Sequence, residues 1–588
     1  MATSGRAGGD MGGNEGEGSW RLAWGSTDSI GEEPIWRDQH VALFAAMAQP
    51  RRPAPNGLPT ATTSIGPYLS SSGQYVLVGD LAQEQPGASG EASTGDRCEK
   101  KRCSLERVVE RWGSDGVATL RQLQGGYGLV IVDRWRNQLW LVRDPIGIKT
   151  LYLTRAGALR WIAPCLRSLA PYRSNALDTI ALRDYLCCAF VPGERTLWSE
   201  VRELRPGTLH LLPQDRSEAF FDLKEQIIGA DKPLEWHGGR LQHGLIKVVA
   251  EALPQGEASG VFLSGGLDSS CITAIASQLH REPLHTFSIH FGPKLPNELE
   301  FAQQVARHCR TQHHELEISM RDLWQGLPET MAALDDPIGD PLTVPNLLLG
   351  RMAKRFVNVI LNGEGGDPCF GGPKNQPMLM HRLYQSLDNS STLQAFLSSF
   401  QKCATDLSRL LNANLWKTVK DQPYVFSKDF AAETSYLNCL MALNIKFKGA
   451  DHILTKVNNC TQAAGLQARS PLFDSRIVEM SMQIPPHYKL SGIEEKAVLK
   501  SAVASFLPRS IVERPKSGMM VPVQIGFRNH WNRQATRLLL NRKAAIAPLL
   551  ERELIRDWLH YKGDTWNRYG VKLWLLCSLE YWLKANGL

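Results

Sequence analysis

The chain has 588 residues, enough for more than one hydrophobic core, and its 43% hydrophobic and 21% charged content is that of an ordinary globular protein. No apolar run approaches the ~18 residues of a membrane span, and the opening "MATSGRAGGDMGGNEGEG" lacks the apolar centre of a secretory leader. The formal charge of +7 is spread along the chain rather than gathered into a basic stripe with aromatics, which argues against nucleic acid as a partner.

Residues 1–17 read as a disordered tail. "SWRLAWGS" and "QYVLVGDLA" alternate as half-buried strands should, with the surface loop "QEQPGASGEASTGDRCEKK" behind the second. "SLERVVERWG" is a short amphipathic helix that Gly113 is expected to end. "GYGLVIVDRWRNQLWLVRDPIGIKTLYLTR" and "ALRWIAP" then read as strands separated by turn residues such as Asp133 and Asn137. Residues 18–215 are therefore expected to form an antiparallel, β-rich domain. The twelve cysteines are scattered, with Cys187 and Cys188 adjacent, and suggest no disulfide framework. Cys98 and Cys103 have no second pair at zinc spacing. A reducing, cytoplasmic setting is expected.

From about residue 230 to 588 the character changes. "SGVFLS", "DSSCITAIASQLH", "PLHTFSIHF", "NELEFAQQVARHC", "HHELEIS" and "VNVILNGEGG" alternate strand and helix, which implies a parallel sheet with crossover helices. Beyond about 376 the pattern is helical, and the aromatics of "VKLWLLCSLEYWLKANGL" read as core. The fold class expected is thus α+β in the amino-terminal part and α/β, with helical additions, in the carboxy-terminal part.

The stretch "GVFLSGGLDSSC" puts a glycine turn between a buried strand and a helix. Ligands of open parallel sheets sit beyond the carboxyl ends of the strands, where helix N-termini offer free N–H groups to phosphate. Gly265 and Gly266 let the backbone approach closely, and Ser264, Ser269 and Ser270 add hydroxyls. No Gly-Lys-Ser/Thr follows, so this is not a Walker loop. Asp268 would repel phosphate unless a cation intervened, and its expected role is to hold Mg²⁺ on ATP cleaved between its α- and β-phosphates. The same Asp and Ser would also cap the helix without any ligand. "VNVILNGEGGDPCFGG" repeats the arrangement after a second buried strand. Its Asp367 is the expected second Mg²⁺ ligand and its Glu364 a base or orienting group for an incoming amine.

These two segments, with "GLQARSPLFDSRIVEM" and "LPRSIVERPKSGMMVP" in order behind them, resemble the asparagine synthetase family, and "GGYGLVIVDRWRNQLWLVRDPIGIKTLYL" resembles the end of its amino-terminal glutaminase domain. The resemblance covers nearly the whole chain. It implies that a carboxylate is adenylated and that an amine then displaces AMP. It also implies that Leu263, Ile289, Asn362 and Gly363 contact adenosine, and that Lys516 neutralises charge on the adenylate and the amide-forming transition state.

The chain departs from the family where nitrogen is supplied. Position 2 is Ala2 where a nucleophilic cysteine is expected, the first cysteine is Cys98, and Gly79–Asp80 stand where the family has Asn-Gly-Glu. Without a thiolate no thioester forms, so residues 18–215 are expected to be a glutaminase-like scaffold. Pro368, Cys369, Pro373 and Lys374 replace the family's residues in the second glycine loop, and Asn458 and Gln467 stand where acids are usual. Intact activation with no ammonia source resembles β-lactam synthetases and lasso-peptide cyclases. The first reading is a lasso-peptide macrolactam cyclase acting on a peptide carboxylate, with a precursor peptide and its leader protease as partners. Its alternatives are an asparagine synthetase acting on small-molecule aspartate with ammonia or glutamine, and a non-catalytic nucleotide-binding scaffold. An RNA-modifying pyrophosphatase would need an RNA-binding module or reactive cysteine pair, and neither is visible.

Overall fold

The computed structural model describes residues 20–24, 36–37, 41–45, 67–81, 104–372, 375–384, 389–431, 434–491, 494–514, 520–564 and 567–588. Ala2 and the tail, the loop holding Cys98 and Cys103, Pro373, Lys374 and Lys516 lie outside the described residues.

The amino-terminal part contains β1 (Trp20–Trp24), β2 (Trp36–Arg37), β3 (Val41–Ala45), β4 (Tyr68–Leu69), β5 (Tyr75–Leu81) and β6 (Tyr127–Asp133). It continues with β7 (Gln138–Arg143), β8 (Tyr152–Ala156), β9 (Leu159–Ala163), β10 (Val201–Glu203), β11 (Thr208–Leu212) and β12 (Arg216–Ala219). They form two antiparallel sheets, ordered β10-β8-β9-β1-β3-β2 and β12-β11-β7-β6-β5-β4. The period of two along each strand explains how the sheets stack. In β5, Val76 and Val78 face the core shared with Leu22, Leu43 and Ile162 of the other sheet, while Leu77 and Leu81 face helix α1 (Ser104–Asp115). The outer face of the first sheet, with Ala23, Ala42 and Trp161, packs on helix α2 (Thr179–Cys188) and on the carboxy-terminal half. The result is a helix–sheet–sheet–helix stack.

Asp133 accepts from the N–H groups of Trp135 and Arg136, and Asn137 takes φ +49°, so both serve the β6–β7 turn as expected. Gly113 does not end its helix, which runs on to Asp115. A Cβ at Gly113 would stand 2.9 Å from the Tyr75 ring, so the glycine is there for close packing.

Helix α3 (Leu234–Ala252) leads into the second half. There β13 (Ser259–Phe262), α4 (Leu267–Leu279), β14 (Leu284–His290), α5 (Leu299–Cys309), β15 (Gln312–Glu317), α6 (Met320–Ala333), α7 (Thr343–Ala353), β16 (Val359–Leu361) and α8 (Gly366–Phe370) follow one another. With β17 (Gln467–Arg469) the strands make one parallel sheet in the order β15-β14-β13-β16-β17. The central strands are buried on both faces, which accounts for their continuous apolar runs. The chain winds outward from β13 to β15 and then returns to the other side of β13. The strand order therefore reverses between β13 and β16, where open α/β sheets leave their ligand crevice.

The two halves are not independent. One apolar core includes Leu186 and Phe190 of the amino-terminal part together with Met331, Leu347, Trp574 and Trp582 of the rest. No helix among the described residues is long and apolar enough to cross a membrane. The ten described cysteines are free thiols.

Candidate active site

The loops after β13 and β16 meet at the reversal point, over a cavity of about 390 Å³. The register pairs Val261 with Leu361, so the segments that follow them leave the sheet side by side, Leu263 level with Gly363. Gly265 takes φ +83° and Gly365 φ +112°, conformations that favour glycine. A Cβ at Gly366 would collide with the Asp268 carboxylate, and one at Gly372 would stand 2.5 Å from that of Asp367. The glycines make room for the two acids.

Asp268 lies in the first turn of α4, whose N-cap, Gly266, offers no side-chain cap. Ser264 and Ser269 hydroxyls lie 3.1 Å apart, and Ser269 Oγ accepts from the Ser264 N–H at 3.2 Å. Both line the cavity, as do Leu263, Gly266, Asp268, Ile289, Asn362, Gly363, Glu364 and Asp367. Gly265 lies behind the lining, its carbonyl accepting from Arg514 Nη1 at 2.9 Å. Ser270 is wholly buried in the helix packing and contributes no hydroxyl to the cavity. Asn362 donates to the Arg469 carbonyl and Ser470 hydroxyl while its Oδ1 accepts from the Glu364 N–H at 3.1 Å, which ties the second loop to β17.

A residue that sequence reasoning missed holds the centre. Lys496, in "SGIEEKAVLK", donates to Asp268 Oδ1 and Oδ2 at 2.7 and 2.6 Å, and its Nζ stands 2.6 Å from Asp367 Oδ1. Burial alone would push the ammonium down, but the two carboxylates outweigh it and raise its pKa above the ordinary lysine value. The two acids read from separate motifs thus converge on one point.

A second polar group lines the same cavity. Asp340, in the loop before α7, accepts from Lys456 Nζ at 2.8 Å and lies 3.2 Å from His452 Nε2. Burial would raise the Asp340 carboxyl, yet Lys456 and His452 hold it well below the usual carboxylate range. Burial pushes His452 down to about 4, so near neutral pH it is an uncharged donor or acceptor. Burial would also lower Lys456, but Asp340 and then Glu364 keep it charged. Asp340 follows Gly339 in a loop, while His452 and Lys456 sit in helical sequence where nothing but their polarity among apolar residues marks them.

Of the departures from the family pattern that lie among the described residues, only Pro368 lines the cavity. Cys369 is buried behind it. Asn458 Nδ2 donates to the Ile148 carbonyl across the boundary between the halves, and Gln467 Oε1 accepts from Arg469. Their side chains serve docking and an edge strand rather than the cavity.

Comparison with known proteins agrees with this arrangement. Residues 240–584 match the family model described as asparagine synthase, and residues 96–221 match that of a glutamine amidotransferase domain. The chain is 25% identical over 501 residues to asparagine synthetase [glutamine-hydrolyzing] 1 of Bacillus subtilis, covering 79% of this chain and 78% of that one. It is 25% identical over 449 residues to asparagine synthetase B of Escherichia coli, with 72% and 66% covered. Among solved structures, a glutamine PRPP amidotransferase from B. subtilis aligns with 10% identity and a TM-score of 0.21, covering 52% of this chain and 85% of that one. With one family model spanning more than half of its length, the chain belongs to the asparagine synthetase family and is an AMP-forming carbon–nitrogen ligase carrying a glutamine-amidotransferase-like domain.

Proposed function

We propose that the chain binds ATP over the β13 and β16 loops, adenylates a carboxylate with release of pyrophosphate, and joins the acyl group to an amine. The observation that carries this reading is the convergence of Asp268 and Asp367 on a single cationic point at the mouth of α4. No group of three or more metal-ligating side chains occurs among the described residues. Two carboxylates are a partial set of hard oxygen donors, which suits Mg²⁺ because that ion keeps waters and substrate phosphates in its shell. Bound there, Mg²⁺ would neutralise charge on the pyrophosphate leaving group. Ser264, Gly266 and Ser269 then face the phosphates, with Gly265 shaping the turn behind them, while Leu263, Ile289, Asn362 and Gly363 take the adenosine. Glu364 is the group that acts on the incoming amine. Lys516 neutralises charge on the acyl transfer.

For the substrates, the first reading is a macrolactam-forming lasso-peptide cyclase, which joins a side-chain carboxylate to the same peptide's amino terminus. It rests on the expected loss of glutaminase chemistry, Gly79–Asp80 standing where the family has Asn-Gly-Glu. Under this reading glutamine yields no glutamate, and a precursor peptide and its leader protease are the partners. A second reading, asparagine synthesis from aspartate, is favoured by the cavity itself. Lys456 and Lys448 stand there with Asp340 and Glu364, a balance of charges that suits a small zwitterion. The relatives named above carry that activity in their names.

Pyrophosphate exchange into ATP, scanned over aspartate, glutamate and peptides with an acidic side chain and a free amino terminus, tests the proposal. Exchange with a peptide and a product lighter by one water supports the cyclase. Exchange with aspartate, and asparagine on adding ammonia, supports the second reading. No exchange with any acid at saturating Mg²⁺ sinks both.

A further inference from the structure

Lys496 reaches the centre of the cavity in an unusual way. It is the N-cap of the helix Ala497–Val503, with φ +54°, a left-handed conformation that costs a residue with a Cβ. It directly follows a small hairpin of β18 (Leu490–Ser491) and β19 (Glu494–Glu495), and its backbone N–H donates to the Lys489 carbonyl at 2.6 Å. The side chain is 3% exposed. An ammonium has three donors and no acceptor. Here Asp268 Oδ1, Asp268 Oδ2 and Asp367 Oδ1 take all three, at 2.7, 2.6 and 2.6 Å.

A divalent ion shared by the same two carboxylates would need its oxygens at ~2.0–2.1 Å. It would have to stand in the space that Nζ fills, and a cation beside it would be strongly repelled. The charge count agrees, since two carboxylates are fully neutralised by one divalent ion and only half neutralised by one ammonium. Phosphates arriving with the metal offer the displaced ammonium new acceptors within the same cavity.

We propose that Lys496 is a resident counter-ion of the Asp268–Asp367 pair that a divalent metal must displace, so that metal binds tightly only together with nucleotide, whose phosphates receive the released ammonium. Lys496 then disfavours metal binding ahead of ATP and couples the two arrivals. This inference rests on the assignment of Asp268 and Asp367 as metal ligands made above.

The test is Mn²⁺ binding, read from the free-ion electron paramagnetic resonance signal, on the full chain without nucleotide and with α,β-methylene-ATP. Without nucleotide, Lys496→Met is expected to bind Mn²⁺ at least ~10-fold more tightly than the wild type, because the competing cation is gone. With the analogue that advantage should vanish, since the wild-type ammonium then has phosphates to meet. Thermal melting reports whether each variant is folded. Should Lys496→Met fail to fold, Lys496→Gln, which is uncharged but can still donate a hydrogen bond, decides in its place. Equal or weaker Mn²⁺ binding by the lysine variant without nucleotide overturns the displacement. Asp268→Asn separates the two layers of argument. If it binds Mn²⁺ as the wild type does, the metal assignment itself is at fault. If it loses Mn²⁺ while the lysine variant gains nothing, only the displacement fails.

Discussion

At Gly366 the chain has no room for even one methyl group, because a Cβ there would press into the carboxylate of Asp268. Gly366→Ala should therefore leave the fold intact and cut AMP formation by on the order of 10² or more, since a small misplacement of a reacting group carries a penalty of that size. A variant within threefold of wild-type turnover would show that Asp268 need not stand where it does. Asp268→Asn and Asp367→Asn should each abolish AMP formation with the circular-dichroism spectrum unchanged, a neutral amide being a poor partner for either cation. Near-normal turnover of both at saturating Mg²⁺ would refute their role. The two lysines are separated by paired assays. Lys516→Met should lose amide product by ~10²–10³ while pyrophosphate exchange falls less, as expected for a group that serves acyl transfer. Lys496→Met should lose both, because its ammonium meets the acids of the ATP loop. Equal collapse of exchange and amide in Lys516→Met would end that division of labour. These residues differ in how they could be read. Asp268 and Asp367 stand out in sequence because an acid among glycines after an apolar strand is a rare combination. Lys496 does not, since "SGIEEKAVLK" looks like the charged start of a surface helix, and the left-handed turn that folds its ammonium inward leaves no mark in residue types.

Elements were legible to the extent that period and punctuation carried the information. The alternation of strands and crossover helices over 259–361 follows from apolar runs bounded by turns, and so does the crevice between β13 and β16 once the strand order is known. The order itself is not written locally, because β17 lies more than a hundred residues beyond β16 and is only three residues long. The Asp340–His452–Lys456 group shows the same limit. Its members come from the loop before α7, a π-helical stretch Asn444–Leu454 and the helix Thr455–Ala463, three elements that only tertiary packing brings together. The group is a buried ion pair with a histidine alongside, and removing one partner of such a pair leaves the other charge uncompensated. Asp340→Asn is therefore expected to cost on the order of 3 kcal/mol in urea unfolding. It should also leave Lys456 facing Glu364 without its main counter-ion. A loss below ~1 kcal/mol would mean that water already screens the pair.

At the scale of the molecule, the boundary between the halves is a polar joint inside an apolar core. Asp335 and Asp336 accept from the Leu166 and Leu197 N–H groups at 2.7 and 3.0 Å, and Asp451 accepts from Gly193 at 2.8 Å and pairs with Arg205 at 3.1 Å, while beside it, within the amino-terminal half, Glu203 pairs with Arg143 at 2.6 Å. Such a joint binds the amidotransferase-like half to the ligase half whether or not it hydrolyses glutamine. It also gives the protein a pH signature. Burial raises the Glu203 carboxyl above its ordinary 4.5, Arg143 and Arg205 pulling it down and Asp451 pushing it further up. Burial raises Asp336 and Asp451 in the same direction, and Asp335 and Tyr152 are further titratable neighbours of this group. A carboxyl with a raised folded-state pKa holds its proton more firmly when folded. Its contribution is complete below the unfolded value and is lost as pH rises through the folded one, so stability falls from about pH 4.5 upward into the neutral range. His452 has the opposite sign, being depressed to about 4, and its contribution is lost as pH falls from the unfolded imidazole value toward that number. Both terms are present in the wild type and in a Glu203 variant except the one removed. Glu203→Gln, which keeps an acceptor for Arg143 but cannot ionise, should therefore lose less melting temperature between pH 5 and pH 8 than the wild type does, measured in one buffer series at fixed salt. Parallel melting curves for the two proteins across that span would show that Glu203 ionises without cost and that the joint is wetter than its burial implies.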